Sequence, residues 1–127
     1  MDKNELVKLA LDAREKSYSP YSTFKVGAAL LTKSGKIYKG CNVENKAFSP
    51  TNCAERTALF SAVADGEREF SEIAVVGGEN KITDFCPPCG VCRQVMSEFC
   101  DKEFKIHLYN GEEIKTYTLG ELLPENF

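Results

Sequence analysis

The stretches NCAERTAL, residues 52–59, and FCPPCGVCRQV, residues 85–95, set the starts of two internal helices and thereby the frame of the fold. In the first, a cysteine stands two positions before a glutamate, and apolar residues follow at helical spacing. In the second, three cysteines lie within seven positions, and Pro87 and Pro88 precede the helical pattern. Each helix therefore begins with side chains that can bind a metal or take part in chemistry.

Around these two segments, the hydrophobic pattern predicts a further helix and five strands. Residues 4–17 place apolar side chains on one face of a helix, which Pro20 follows as a breaker. Short β-rich runs predict strands at residues 24–31, 36–43, 72–78, 103–108 and 114–118. With a short last segment, the order is α-β-β-α-β-α-β-β-α. This order predicts an α/β protein, a three-layer αβα single domain over residues 1–127 with a five-stranded mixed sheet and helices on both faces.

The composition argues against several classes of function. No apolar run approaches the roughly 20 residues that cross a membrane, and the first residues lack the apolar core of a signal peptide, so a cytoplasmic protein without a membrane partner is expected. The net charge is −3 and the basic residues are dispersed, which disfavours a nucleic-acid partner. Six cysteines in a reducing cytosol indicate metal binding, catalysis or burial, and we expect Cys41 and Cys100 in the core or at an interface. The only histidine, His107, is expected to be an ordinary strand residue.

Glu55 and Cys53 each have an ordinary structural explanation when taken alone. Asn52 and Glu55 have the spacing of a capping box, and a single cysteine is more often a small buried residue than a ligand. The pair Cys89-x-x-Cys92 at a helix start changes this interpretation, because it supplies two zinc ligands and the chain offers no separate second pair. Three thiolates and an open position are typical of a catalytic zinc, whose fourth ligand is water. Glu55 is then placed to accept a proton from that water.

Spacing alone does not decide which three cysteines bind the metal, because Cys86 and Cys89 also form a Cys-x-x-Cys. The residues between them are prolines, which have no amide hydrogens. Those between Cys89 and Cys92 keep their amides, which can hydrogen-bond a thiolate at a helix start. The set Cys53, Cys89 and Cys92 is therefore preferred, and Cys86 has no assigned role.

The charge of such a site requires compensation. Three thiolates and Zn²⁺ sum to −1, which weakens the pull of the metal on its water. Arg56 directly follows Glu55 and is the obvious local cation, although a solvent-facing helix residue is the ordinary alternative. We expect Arg56, together with the two helix starts, to draw charge from the sulfurs.

Longer segments of the chain resemble a known family. The motifs YSPYSTFKVGAAL, GCNVEN, CAERTAL, PCGVCRQV and the terminal ELLPENF occur in order over nearly the whole chain. Together they resemble the small, homotetrameric, zinc-dependent cytidine deaminases of the cytidine/deoxycytidylate deaminase family, with Cys53 in place of the His of the H-x-E form. The resemblance implies a cytidine deaminase-like fold, one Zn²⁺ per subunit, and a homotetramer with active sites at subunit interfaces.

The resemblance also implies which residues contact a nucleoside. Phe24 would lie against the pyrimidine ring, and Asn42 and Glu44 would hold the ribose hydroxyls. Ala54 would offer its backbone to the base, and Phe127 would reach the pocket of a neighbouring subunit. From the residues alone, Asn42 and Glu44 are better explained as a polar strand end that enters a loop.

Two positions depart from the family pattern. Phe48 stands where family members often carry Tyr, so a hydroxyl contact is lost there. The thiol of Cys86 is additional, and it makes the assignment of the metal ligands less direct.

The reaction that the resemblance implies is the hydrolytic deamination of cytidine and 2′-deoxycytidine to uridine and 2′-deoxyuridine with release of ammonia, in pyrimidine salvage. Zinc-bound hydroxide would attack C4, and Glu55 would carry protons to N3 and to the leaving amino group. Three alternatives remain open: a deaminase of the antibiotic blasticidin S, a non-enzymatic binding module with a closed four-ligand zinc site, and a polynucleotide deaminase.

Overall fold

A computed structural model describes all residues, 1–127, and the elements follow the predicted order. The helices are α1 (Lys3–Arg14), α2 (Ala54–Ala64), α3 (Gly90–Phe99) and α4 (Leu119–Leu122). The strands are β1 (Lys25–Thr32), β2 (Ile37–Cys41), β3 (Phe70–Gly78), β4 (Lys105–Tyr109) and β5 (Ile114–Thr118). None of the four helices has the length and apolar character needed to cross a membrane.

The strands form one mixed sheet in the order β2-β1-β3-β4-β5. Only β3 and β4 are parallel, because α3 crosses back between them, and the other neighbours are antiparallel. On one face, α1 closes a small core of Leu6, Val7, Ala10, Ala29, Ala74 and Val76. On the other face, α2 and α3 close a larger core around β1, β3 and β4. The predicted three-layer αβα architecture with a five-stranded mixed sheet is confirmed.

Two glycines let helices approach the sheet closely from opposite sides. A Cβ on Gly27 of β1 would lie 2.0 Å from the carbonyl oxygen of Ala10 in α1. A Cβ on Gly40 of β2 would lie 2.4 Å from the carbonyl oxygen of Ala54 in α2. Real Cβ atoms do not approach backbone this closely. The backbones of α1 and of the first turn of α2 can therefore pack directly on the sheet only because these two strand positions are glycine.

The register of the sheet brings three strand ends together at one edge. Gly27 pairs with Cys41, and Lys25 pairs with Gly78, so the start of β1 lies beside the ends of β2 and β3. From this edge, the chain leaving β2 runs to the start of α2, and the chain leaving β3 runs to the start of α3. Both cysteine-bearing helix starts are therefore reached from the same edge of the sheet.

The first helix is shorter than predicted and ends at Arg14 instead of residue 17. The reason lies in the backbone of Tyr18, whose N–H donates to the carbonyl of Asn42 and whose carbonyl accepts from the N–H of Glu44. The chain must leave the helix to run beside residues 42–44, and tertiary pairing thus overrides the local apolar period.

His107 lies on β4, as predicted for a strand residue, and its ring is buried. Its Nε2 lies 2.6 Å from Oε1 of Glu72, and its Nδ1 lies 2.8 Å from Oγ1 of Thr116. Both ring nitrogens are therefore paired within the sheet, as buried polar groups require.

Candidate active site

Two cysteines occupy the N-cap positions of α2 and α3. Cys53 and Cys89 both have extended backbone conformations immediately before the first helical residue. The Sγ of Cys89 accepts a hydrogen bond from the amide of Cys92 at 3.4 Å. Negative charge is favoured at helix N-termini, so each helix start supports a thiolate.

Cys53, Cys89 and Cys92, called the thiol cluster from here on, place their Sγ atoms within 4.8 Å of one another. The Sγ of Cys89 lies 3.7 Å from that of Cys53 and 3.5 Å from that of Cys92. None of the cysteines forms a disulfide. Sulfurs bound tetrahedrally to one Zn²⁺ lie about 3.8 Å apart, given a Zn–S distance of about 2.3 Å. The thiol cluster therefore fits a single zinc ion with three protein ligands and a fourth, open position.

Cys86, the alternative ligand, lies outside the thiol cluster. A Cβ built on Gly77 would lie 2.8 Å from the Sγ of Cys86 and 2.9 Å from Cε2 of Phe24, so the thiol packs beside that ring. Burial raises the pKa of the Cys86 thiol to about 12, and its Sγ is not among the three that lie within 4.8 Å of one another. The structure thus brings together the preferred set of three and leaves Cys86 apart.

The two remaining cysteines have structural surroundings. Cys100 packs against the larger core, and burial raises the pKa of its thiol to about 12. The Sγ of Cys41 donates to the carbonyl of Lys16 at 3.4 Å. Neither thiol approaches the cluster, so the expected core or interface positions fit both.

Glu55 does not form the capping box that its spacing allowed. The N-cap of α2 is Cys53, one residue later than Asn52, and it makes no side-chain capping bond. Asn52 instead donates to the hydroxyl of Thr57. Glu55 is only 4% exposed, and burial raises the pKa of its carboxyl to about 7. A carboxyl with such a pKa can both accept and return a proton near neutral pH.

Arg56 faces the thiol cluster instead of solvent. Its Nη2 donates to the Sγ of Cys53 at 3.3 Å. Hydrogen bonds from Cys92 and Arg56 lower the pKa of Cys53 to about 5, while the bond to Cys53 raises the pKa of Cys92. Burial opposes the charge of Arg56, but hydrogen bonds to the two thiols raise its pKa. The cation therefore stabilises negative charge on the sulfurs.

Glu44 is fixed as a carboxylate by the turn that precedes β1. Its side chain accepts hydrogen bonds from the hydroxyl and amide of Ser22 and from the amide of Tyr21. These bonds lower the pKa of Glu44, the hydroxyl of Ser22 having the largest effect. The carboxylate is thereby held in place with lone pairs still free to accept from a ligand.

Asn42 is largely committed to the protein itself. Its Oδ1 accepts from the amide of Val26 at 2.9 Å and from the hydroxyl of Ser17, and its Nδ2 donates to the carbonyl of Phe24 at 2.8 Å. The residue is 7% exposed. One Nδ2 hydrogen remains for a ligand, while the rest of the amide holds both ends of the segment 24–26.

The other predicted contact residues are distributed around the site. Phe24 is 39% exposed, and Phe48 lines an open cavity of about 670 Å³ together with Pro20, Tyr21, Ser22, Glu44, Asn45 and Thr51. Ala54 is the first residue of α2 and is fully buried. Phe127 projects fully into solvent and takes no part in the site of its own chain.

Sequence reasoning missed Ser17 and Ser22, whose hydroxyls support Asn42 and Glu44. Ser17 lies directly before the stretch YSPYS, and Ser22 is its last residue. The hydrophobic pattern identifies this stretch only as a helix break. A hydroxyl that bonds a side chain twenty or more positions later leaves no local signal. Only the fold, which brings this stretch beside residues 42–44, shows the pairing.

Comparisons with known proteins agree with this geometry. The sequence profile of the family described as "Cytidine and deoxycytidylate deaminase zinc-binding region" matches residues 1–108. A cytidine deaminase of Halalkalibacterium halodurans is 49% identical, over 100% of this chain and 95% of that protein. The crystal structure of cytidine deaminase from Burkholderia pseudomallei is similar with a TM-score of 0.93 and 49% identity, and each chain is covered over 100% of its length. A blasticidin-S deaminase of Bacillus cereus is also similar, at 33% identity over 94% of this chain and 88% of that protein. The thiol cluster lies wholly within the matched residues.

Proposed function

The chain belongs to the cytidine and deoxycytidylate deaminase family of zinc-dependent hydrolases, and we propose that it converts cytidine and 2′-deoxycytidine to uridine and 2′-deoxyuridine with release of ammonia. One observation carries the proposal: the buried carboxyl of Glu55 stands in the first turn of the helix that Cys53 caps, beside a cluster of three thiols. We further propose that residues 1–127 act as one deaminase domain.

Cys53, Cys89 and Cys92 would hold the zinc ion. Bound there, Zn²⁺ supplies a Lewis acid that brings the pKa of a water towards ~7. Arg56 offsets the net charge of −1 that three thiolates and Zn²⁺ would carry, since its guanidinium already donates to Cys53.

Glu55 would move both protons of the reaction. It accepts the first from water and delivers it to N3 of the cytosine ring, while the water oxygen forms its bond to C4. It then moves the remaining proton of that oxygen to the amino nitrogen, and the C4–N4 bond breaks. One water is consumed and one ammonia leaves, so a single carboxyl suffices and no histidine is needed.

The nucleoside would be held by the residues around this centre. Phe24, which is 39% exposed, would lie against the pyrimidine, and Ala54 at the start of α2 would offer its backbone to the base. Glu44, fixed as a carboxylate, accepts from ribose hydroxyls, and Asn42 contributes its one free amide hydrogen. These contacts recognise a ribose or 2′-deoxyribose through hydroxyls that both sugars carry.

We also propose that the protein is a homotetramer with active sites at subunit interfaces, acting in the cytoplasm in pyrimidine salvage. The supporting observation for assembly is Phe127, whose fully exposed ring has no contact within its own chain. Six free thiols suit a reducing compartment. Mass photometry at working concentrations tests the tetramer directly, and a monomer that turns over at the full rate would contradict shared sites.

The first experiment is the ultraviolet assay of cytidine conversion, run on the wild type and on Glu55→Gln, with zinc measured in both. Glutamine keeps the shape of the side chain but cannot accept the proton, so we expect zinc content to be unchanged and kcat to fall by at least ~10³-fold. A loss of only twofold would show that Glu55 is structural.

A substrate panel separates the proposal from its rivals. Cytidine and 2′-deoxycytidine are compared with blasticidin S and a single-stranded oligonucleotide under the same conditions. Turnover of blasticidin S alone would move the assignment to that class of deaminase. Cobalt substitution tests the binding-module alternative, because its spectrum distinguishes four sulfur ligands from three sulfurs with oxygen.

A further inference from the structure

The guanidinium of Arg14, at the end of α1, is buried beneath the sheet edge that carries the site. Its side chain is 8% exposed, and its nearest carboxylate, Glu15, is 3.8 Å away and 70% exposed. Buried arginines usually pair with acidic groups, because an unpaired charge is costly to desolvate. Arg14 instead donates hydrogen bonds to three main-chain carbonyl oxygens.

These three carbonyls lie where β1 begins and β3 ends. The Nε of Arg14 donates to the carbonyl of Lys25 at 3.2 Å, and Nη2 donates to the carbonyls of Gly78 at 2.7 Å and Asn80 at 2.6 Å. Lys25 and Gly78 are the last paired residues of the β1–β3 ladder at this edge. Arg14 therefore closes the end of the ladder that would otherwise fray.

The ring of Phe24 packs on residues next to the end of the β1–β3 ladder. Phe24 directly precedes Lys25, and Gly77 directly precedes Gly78. The position of a Cβ on Gly77 is 2.9 Å from Cε2 of Phe24 and 2.8 Å from the Sγ of Cys86. The ring thus lies over Gly77 and beside Cys86, and its position depends on how the two strand ends are held.

The close seat of α1 allows Arg14 to reach both strands. A Cβ on Gly27 would lie 2.5 Å from the amide nitrogen of Arg14, so the helix touches the strand backbone at this point. One turn later, the hydroxyl of Ser17 donates to Asn42, which in turn donates to the carbonyl of Phe24. The end of α1 and the residues just after it therefore hold the Phe24 segment through two separate sets of bonds.

We propose that Arg14 is a positioning residue for deamination: by holding the carbonyls of Lys25 and Gly78, it fixes the Phe24 ring over Gly77 and so sets the binding of the pyrimidine. Arg14 acts from the opposite face of the sheet and does not touch the substrate. The inference rests on the proposed function, in which the ring of Phe24 contacts the base.

The kinetic test compares Arg14→Met with Lys8→Met, a matched change at an exposed position of the same helix. Methionine keeps the apolar stem but loses all three donated bonds. We expect KM for cytidine to rise about tenfold while kcat changes by less than about threefold, with zinc content unchanged and Lys8→Met like the wild type. A fall in kcat with KM unchanged would overturn the proposal. If Arg14→Met does not fold, Arg14→Lys provides the same comparison, because an ammonium keeps the charge but lacks the planar fork.

Two further readouts separate positioning from a general loss of structure. In a Phe24→Ala background, Arg14→Met should change KM by less than about twofold, because the ring through which it acts is gone. An undiminished tenfold effect would overturn the proposal.

Hydrogen exchange needs no substrate: amides of residues 24–27 and 77–80 should exchange at least about tenfold faster in Arg14→Met, and those of residues 71–73 should not. Unchanged exchange would overturn the role of Arg14, whereas faster exchange in a protein that does not deaminate cytidine would overturn the proposed function alone.

Discussion

Glu55 and Arg56 are consecutive residues, yet their environments favour a neutral form of one and the charged form of the other beside the same cluster. Glu55 is buried, which raises the pKa of its carboxyl to about 7 and keeps a proton within reach. Arg56 is held charged by its bonds to the thiols. Both pKa values are raised, which favours a protonated carboxyl on Glu55 and a charged guanidinium on Arg56, and shifted pKa values of this kind cluster at functional sites. The helix start thus supplies a mobile proton and a fixed positive charge from adjacent positions.

Replacing Arg56 by Gln tests the role of that charge. The fold should be retained, because Arg56 lies at the edge of the larger core and its bond is directed to a sulfur. Zinc affinity should fall roughly 10- to 100-fold, the usual effect of losing a group that bonds a ligand atom. Competition with a chromophoric chelator measures this, with Arg68→Gln, at an exposed position after α2, as the matched control. Equal zinc affinity and kinetics in Arg56→Gln and wild type would show that the cation is dispensable.

The sequence alone identified the site residues whose combination is chemically unusual, and it missed the supporting residues whose types are common. The spacing of Cys89 and Cys92 and the proximity of Glu55 to Cys53 pointed to the cluster, because few structural needs produce that combination. Ser22 could not be found in this way, since a serine in a turn has many explanations. Its role exists only because the fold brings Glu44 to it.

Among the elements that carry the thiol cluster, α2 depends on a single position of the sheet. Gly40 lies beneath its first two turns, where a Cβ would meet the carbonyl oxygen of Ala54 at 2.4 Å and the amide nitrogen of Ala58 at 2.5 Å. Cys53 caps this helix and Glu55 lies in its first turn. The geometry of the site is therefore set in part by the absence of a side chain on a neighbouring strand.

Gly40→Ala should displace α2 and damage the site beyond its effect on stability. Backbone atoms cannot yield as a side-chain tip can, so we expect a loss of about 2 kcal/mol or more, as in overpacked cores, together with weaker zinc binding. Gly35→Ala is the control, because its φ of 92° makes alanine strained while no atom lies within 4 Å of the new Cβ. Denaturant unfolding and zinc titration are measured on both variants. Zinc affinity that falls equally in the two would mean that general destabilisation, and not the position of α2, is responsible.

Element types were predictable from the hydrophobic period, whereas one boundary was not. The apolar face of α1 continues past Arg14 in the sequence, but the backbone of Tyr18 is required for pairing with residues 42–44. The capping box at Asn52 failed for a related reason, since the backbone of Asn52 pairs with that of Val43 and the N-cap of α2 is Cys53. In both cases a tertiary contact decided between local alternatives of similar energy.

The mixed topology of the sheet brings residues that are distant in the sequence together in one site. Cys53 precedes Cys89 by 36 positions, and the two meet because both helices start from the edge where β2 and β3 end. A metal bound there would join α2 to α3 across the larger core. The contact between the two cysteines follows from the strand order and not from any periodic pattern in the sequence. The ligand set could therefore be predicted from the chemistry of its cysteines, but only the fold explains why they lie together.

Zinc removal should therefore lower the stability of the entire chain. A ligand that binds only the folded state at about 100 times its Kd adds roughly 2.7 kcal/mol, so chelation should lower Tm by roughly 10 °C for a domain of this size. Scanning calorimetry with and without a chelator measures the change. Cys86→Ser should show the same zinc-dependent shift as the wild type, because its thiol lies outside the cluster, whereas Cys92→Ser should show little or none. A shift that disappears in Cys86→Ser would instead make Cys86 a ligand, and a Tm independent of zinc in the wild type would show that the metal does not link the two helices.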